Sequence, residues 1–167
     1  VNSIFIGNEA LGSYYSYEDG GGNTGAGYAG AVRIQLNSYW DGFNYSYPYK
    51  SIFINNTFVD NKAEGSTGDQ GWGAAIYYSG SQSTVLINNN FWGNTVNNRT
   101  DTTNWVMQGF SVGIGGHNNF QYAADIANSF GDNNMSRDPR FLMDNSDDQY
   151  KLSDGSRLIG AGAKTYG

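Results

Sequence analysis

The acidic side chains of this sequence are candidates for catalysis. Two carboxyl groups that face each other across a sugar can cleave a glycosidic bond. The chain carries 15 acidic residues. Four of them fall in segments that we interpret as insertions between strands: Asp41, Glu64, Asp69 and Asp101. A single sequence cannot show which carboxyl groups face one another, so these four are candidates for hydrolysis from which no pair is selected.

His117 is the only histidine, and the chain has no cysteine. It lies in a turn-like stretch of Gly and Asn, residues 115–119, with no Ser or Cys nucleophile motif nearby. A lone histidine cannot form a metal site by itself, so we predict a solvated or capping role for it. The absence of cysteine excludes a disulfide framework and a thiolate metal site.

One segment, residues 39–49, interleaves aromatic residues with small polar ones. Aromatic faces beside Asn and Asp suit sugar rings, and Tyr and Trp also give large contact areas in protein recognition. The competing interpretation is that the aromatic rings pack the loop against the side of the fold and have no binding role. As a binding surface, the segment would use Tyr39, Trp40, Phe43, Tyr45, Tyr47 and Tyr49.

Composition and charge limit the partners and the location. The net charge is −6, which disfavours nucleic acid and anionic lipid, because both are bound through Lys and Arg. No apolar run approaches the roughly 18 residues of a membrane span. Aromatic residues make up 16% of the chain, enough to build a core. We therefore predict a folded, turn-rich β protein, extracellular or at a cell surface, without membrane insertion.

An internal repeat organises the chain. Residues 51–61 and 84–94 coincide at five of eleven positions, and further copies are predicted at residues 1–8 and 126–133. The aligned Phe residues, at positions 5, 58, 91 and 130, are 53, 33 and 39 residues apart, so insertions separate constant elements. In this alignment Asp60 and Asp132 share a turn position. The structural residues of the repeat are Asn55, Asn56, Phe58, Asn61, Asn88, Asn89, Phe91, Asn94, Asn128, Phe130 and Asn133.

The repeat predicts a coil of parallel strands. Each short strand could bury its apolar side only by stacking on the same strand of the next turn. The paired Asn residues suit sharp bends, because Asn tolerates the left-handed conformation, and stacked Asn side chains can form a hydrogen-bonded ladder. The alternative is an antiparallel fold such as a β-sandwich with accidental similarity. The lack of tight Asn-Gly or Asp-Gly hairpin signals between adjacent strands disfavours it.

The pattern also resembles a known family. Gly-Ala-Val/Ile strands at residues 30–34 and 74–78, with Ile-Asn-Asn-x-Phe-x-x-Asn at 54–61 and 87–94, resemble the pectate-lyase-like right-handed parallel β-helix repeats of secreted and surface-anchored bacterial proteins. The tail, with Asp-Pro-Arg-Phe from Asp138, Tyr-Lys-Leu from Tyr150 and the Gly-rich residues 155–162, is similar to the segment that closes many such helices. Arg157 and Leu158 stand where that segment has Pro-Ala, and Gly160 where it has Asp.

The resemblance implies an all-β fold, a right-handed parallel β-helix (solenoid) of about three turns with long loop insertions and a C-terminal closing segment. Residues 1–135 would form the turns and residues 136–167 the closing segment of the same domain. Val1 aligns with Ile54, so we expect the chain to start in mid-turn, with further N-terminal turns missing or supplied by another chain.

Lyases, hydrolases, adhesins and filament proteins share this fold, so the resemblance implies little about activity. Its lyases commonly hold calcium with several carboxylates. The only candidate ligands in the tail are Asp144, Asp147 and Asp148, where the family has a plain turn, and we interpret these primarily as turn residues. No cofactor is predicted apart from this calcium option.

Two functional hypotheses follow. The first is a non-catalytic extracellular β-helix module, either structural (surface or filament-forming) or adhesin-like and glycan-binding. Its partners would be a polysaccharide or glycan surface, or further copies of itself stacked end to end. The alternative is a polysaccharide lyase or glycoside hydrolase whose site lies partly in missing N-terminal turns. The scattered carboxylates favour the first hypothesis and leave the second open.

Overall fold

The computed structural model describes residues 1–12, 15–16, 22–23, 25–35, 39–40, 45–46, 51–66, 71–79, 83–97, 107–108, 111–121, 132–143 and 149–163. All regular elements in these ranges are β-strands, which confirms the all-β part of the prediction. The described part of the chain contains no helix that could cross a bilayer.

The strands are short, from two to six residues, because Gly, Asn and Ser interrupt every apolar run. They are β1 (Ile4–Ile6), β2 (Glu9–Leu11), β3 (Tyr15–Ser16), β4 (Gly22–Asn23), β5 (Val32–Gln35), β6 (Tyr39–Trp40), β7 (Tyr45–Ser46), β8 (Ile52–Ile54), β9 (Thr57–Val59), β10 (Lys62–Glu64), β11 (Ile76–Ser79), β12 (Ser83–Ile87), β13 (Asn90–Trp92), β14 (Thr95–Val96), β15 (Met107–Gln108), β16 (Ser111–Gly116) and β17 (Asn119–Phe120).

Four parallel sheets contain most of these strands. The first sheet has the order β1-β9-β13-β17, the second β2-β10-β14, the third β5-β11-β15 and the fourth β8-β12-β16. The chain visits the sheets in this order and then returns to the first. The strands β1, β2, β5 and β8 therefore form one level, β9 to β12 the next and β13 to β16 the third, and β17 returns to the first sheet. Two antiparallel pairs, β3–β4 and β6–β7, lie in the insertions.

A row of phenylalanines along the first sheet forms the centre of the core. Phe5, Phe58, Phe91 and Phe120 stack with ring centroids 4.6, 4.9 and 5.1 Å apart and planes within 7° of parallel. These separations match the roughly 4.8 Å distance between paired strands, so in-register pairing alone places each ring on the next. The last three rings are fully buried, beside Ile76 and Leu86.

Two rows of asparagines run parallel to the phenylalanines; their inner members are buried, whereas Asn8 is exposed and Asn134 half-buried. The first row contains Asn56, Asn89, Asn118 and Asn134, and the second Asn8, Asn61 and Asn94. In each pair, the backbone N–H and the side-chain Nδ2 of one Asn both donate to Oδ1 of the next, over 2.8 to 3.1 Å. A second amide hydrogen donates to a carbonyl of the preceding level, as Asn89 does to Phe53. The buried amides are thereby satisfied.

The bends between sheets use the left-handed backbone conformation. Where the fourth sheet passes to the first, Asn55, Asn88, His117 and Asn133 have φ between 55° and 58°. Where the first passes to the second, Gly7, Asp60 and Gly93 have φ between 53° and 69°. Asn, Asp and Gly adopt this conformation at low cost, which explains their recurrence.

The fourth copy of the repeat lies in a different register from the predicted one. Asn118 and Phe120, and not residues of 126–133, continue the rows of Asn89 and Phe91. Asn128 and Phe130 lie outside the described residues. The Asn-x-Phe spacing that places both side chains in their rows is preserved at 118–120.

Two residues of the predicted fourth copy change position as a result. Asn133 occupies the left-handed bend of Asn55 and Asn88, and not the position of Asn61. Asp132 bridges to Gly116, one residue before that bend, so the prediction that Asp60 and Asp132 share a position is wrong. The alignment failed because His117 replaces the first Asn of the Asn-Asn pair and hides the true copy.

The tail folds back over the first sheet. Phe141 bridges antiparallel to Leu152, and the backbone N–H groups of Leu142 and Met143 donate to the carbonyls of Lys151 and Gln149. The tail is tied to the levels by side-chain amides: Asn119 bonds the backbone of Arg137, and Asn88 that of Ala163. Val59, which points outward beside the buried Phe58, is only 2% exposed and lies close to this tail.

Candidate ligand-binding surfaces

The predicted aromatic insertion is described only in part. Tyr39 and Trp40 form β6, which pairs antiparallel with β7 at Tyr45 and Ser46. In the chain, β6 follows β5, the strand of the third sheet that carries Arg33, after three intervening residues. Phe43, Tyr47 and Tyr49 lie outside the described residues.

The third sheet carries a cluster of Tyr28, Arg33 and Tyr77, which we call the Tyr–Arg cluster. The Arg33 guanidinium carbon lies 5.2 Å from the centroid of the Tyr28 ring and 6.0 Å from that of Tyr77. The two rings are 4.7 Å apart and inclined by 59°. Arg33 is exposed, and Tyr28 is 37% exposed. Two rings and a cation therefore share one solvent-facing patch.

Strand alternation explains the position of this cluster. Ile76 is fully buried, so its neighbour Tyr77 points outward, and Arg33 is the in-register partner of Tyr77. Tyr28 lies just before β5 in a parallel bridge with Trp72. Cation–π attraction between a guanidinium and aromatic rings is worth about 0.5–1 kcal/mol at an exposed site. Its N–H groups stay available at the patch for hydroxyl or carboxylate oxygens.

A pocket of about 340 Å³ lies between the first sheet and the tail. Trp92 and Asp60 contribute from the sheet side, and Phe141 and Tyr150 from the tail. The last two rings meet edge to face, 5.6 Å apart. Val59, Asp138, Arg140 and Met143 complete the lining. The pocket thus combines aromatic walls with two carboxylates and one guanidinium.

A second pocket of about 250 Å³ lies further along the tail. Its polar lining includes Asn88 and His117, and Nδ1 of His117 is 3.2 Å from the Ala161 carbonyl oxygen. Nε2 of the same ring is 3.4 Å from Nδ2 of Asn133. His117 thus lies at a bend and contacts the tail, in keeping with a capping role.

Among the carboxylates considered for hydrolysis, only Glu64 is described. It pairs with Lys62 on the outer face of the second sheet, and Glu9 binds the same ammonium group over 2.9 Å. The hydrogen bonds that the Lys62 ammonium donates, first to Glu64 and then to Glu9, raise the pKa of Lys62 above its ordinary value. The three groups form an exposed charge network. Asp41, Asp69 and Asp101 lie outside the described residues.

The predicted calcium ligands, Asp144, Asp147 and Asp148, also lie outside the described residues. Within the described ranges, no three His, Cys, Asp or Glu residues lie close enough together to hold a metal ion.

A scan against protein-family models, a search of curated proteins and a search of solved structures gave no match.

Both sites contain residues that the sequence analysis did not select. Arg33 and Tyr77 occupy equivalent places in the two apolar strands at residues 30–34 and 74–78, so aligning those strands could have revealed the cluster. From the sequence, Asp60 is predicted only as a turn position of the repeat, and Trp92 only lies within the copy at residues 84–94. No sequence signal indicated that the tail would fold onto their side of the first sheet.

Proposed function

We propose that the chain is a right-handed parallel β-helix of about three turns, closed by its tail. The support is the repeated order of the four sheets, their parallel pairing and the continuous Phe and Asn rows. Right-handedness follows from general rules, because about 98% of parallel crossover connections have that hand.

The proposed function is that of a non-catalytic extracellular module that binds a glycan through the outer face of the third sheet. The observation that carries this proposal is the Tyr–Arg cluster, where two rings and a guanidinium lie together at the surface. A pyranose ring presents an apolar C–H face to an aromatic ring and hydroxyl groups at its edge to donors such as Arg33. The aromatic insertion, which follows the same strand in the chain, would lengthen this surface.

The recurring polar residues support a structural role for the rest of the coil. Asn56, Asn89 and Asn118 direct their amides into the interior, where each is bonded to its neighbours. A regular scaffold of this kind keeps a surface cluster rigid and so lowers the entropy lost on binding.

The test is retardation of the protein in native gels that contain galactan, mannan, xylan or polygalacturonate. The wild type is expected to be retarded by at least one polysaccharide, and Arg33→Ala to lose about tenfold in affinity for it. Arg157→Ala is the matched control, because Arg157 is exposed on the tail and carries the same charge. Equal retardation of the two variants would contradict the assignment of the site. A folded wild type that none of these polysaccharides retards would contradict glycan binding.

A further inference from the structure

The pocket between the first sheet and the tail has the dimensions and the lining of a small-molecule site. Its volume of about 340 Å³ lies at the lower end of the range of about 300–1,000 Å³ for ligand pockets. Trp92 contributes an aromatic surface from β13, and the Phe141–Tyr150 pair contributes one from the tail. A ligand in this pocket would therefore meet aromatic rings from both elements.

The charges that line the pocket favour a cation. Asp60 and Asp138 contribute carboxylates, and among the described residues neither forms an ion pair with Lys or Arg. The one lining cation, Arg140, donates from Nη1 to the Gly155 carbonyl over 3.3 Å. The chain as a whole carries a net charge of −6, which also attracts cations.

Among the described bends between the first and second sheets, the one at Asp60 carries a side chain. The equivalent bends use Gly7 and Gly93, and a side-chain oxygen of Asp60 lies over Gly93, where an added Cβ would collide with it. Partial burial raises the pKa of Asp60 above its ordinary value, although the residue is exposed overall. A cation beside this carboxylate would favour its ionised form.

We propose that this pocket binds an organic ammonium ion, with the alkylated nitrogen against the Trp92 ring and its charge facing Asp60 and Asp138. Aromatic rings attract such cations through their negative faces, and a nearby carboxylate adds Coulombic attraction. This site lies on the first sheet and the tail. It is separate from the glycan surface proposed for the third sheet.

The experiment is an NMR titration of the ¹⁵N-labelled chain with choline chloride, against sodium chloride of equal ionic strength. The neutral isostere 3,3-dimethylbutan-1-ol replaces the ammonium group by a carbon of the same shape. We expect choline to shift the Trp92 indole N–H signal saturably and the isostere to bind at least about tenfold more weakly. Non-saturable shifts, or equal binding of the two compounds, would overturn the proposal.

Two variants with the same charge change locate the site. Asp60→Asn is expected to weaken choline binding by about tenfold. Asp132→Asn, at the exposed side chain before another bend, is expected to leave it unchanged. Amide spectra of both variants show whether each is folded. Equal effects of the two substitutions, or a methyl glycoside that binds this pocket in preference to choline, would reject the ammonium assignment.

Discussion

At the scale of single residues, the fold depends on buried Asn side-chain amides. These amides stabilise the fold only when all of their hydrogen-bond partners are present. Asn89 is 1% exposed and takes part in bonds with Asn56, Asn118 and the Phe53 carbonyl. A buried polar group that loses its partners retains its full desolvation cost, whereas a paired one contributes a net stabilisation. The rows therefore favour one register strongly, because a slipped register would leave several amides unpaired.

Asn89→Ala is expected to lower the free energy of unfolding by about 2–4 kcal/mol, because it leaves groups of Asn56 and Asn118 unsatisfied. Asn55→Gly is the matched control: Asn55 is exposed with φ of 56°, a conformation that Gly adopts freely, so its effect should stay within about 0.5 kcal/mol. Urea denaturation measures both. Similar losses for the two variants would contradict the buried row.

Asp60 leads to a prediction about pH. Because burial raises its pKa in the folded state, the folded chain binds this proton more tightly than the unfolded chain. The contribution of the Asp60 carboxyl to the free energy of unfolding is therefore fully present below the ordinary carboxyl pKa. It is lost as the pH rises through the raised pKa of the folded chain. Because Asp60 is exposed overall and solvent screens its charge, the effect is small: Asp60→Asn should be slightly more stable than wild type at pH 7, and the difference should shrink at pH 3. Thermal melts at the two pH values test this, and a variant less stable at pH 7 would refute it.

At the scale of elements, the parallel strands and the row of core phenylalanines could be predicted from the sequence. The register of the fourth copy of the repeat could not. Phe58 and Phe91 were recognised because the same Ile-Asn-Asn-x-Phe string surrounds both. Phe120 was missed because His117 stands at the bend, where the left-handed conformation and not the side chain is what the fold requires. A string comparison scores identity, whereas the bend accepts any residue that tolerates positive φ.

The tail, too, could be predicted from the sequence only in part. Its likeness to a closing segment could be read from residues 138–141 and 150–152, but its path across the first sheet could not. That path depends on bonds between residues far apart in the chain, such as Asn88 with Ala163. Both pocket walls come from such long-range packing, so the pocket had no local sequence signal.

At the scale of the whole molecule, both proposed sites depend on levels that stack in parallel and in register. Arg33 meets Tyr77, and Trp92 meets Val59, only because β5 pairs with β11 and β9 with β13 without a shift; a register shift occurs elsewhere, between β12 and β16 at Thr84 and Val85. Both sites therefore depend on the register in which the parallel strands pair.

The measurement that tests it most directly is disulfide formation between engineered cysteines, in a chain that has none of its own. Lys62 and Thr95 are register partners on the outer face of the second sheet, so their Cα atoms should be about 5 Å apart, within disulfide reach. Glu64 lies two residues out of register with Thr95, at about 7–8 Å, beyond that reach. Lys62→Cys/Thr95→Cys should therefore cross-link on mild oxidation, as seen by mass spectrometry, and Glu64→Cys/Thr95→Cys should not. Equal cross-linking of both folded variants, or of the second alone, would contradict the stacked register.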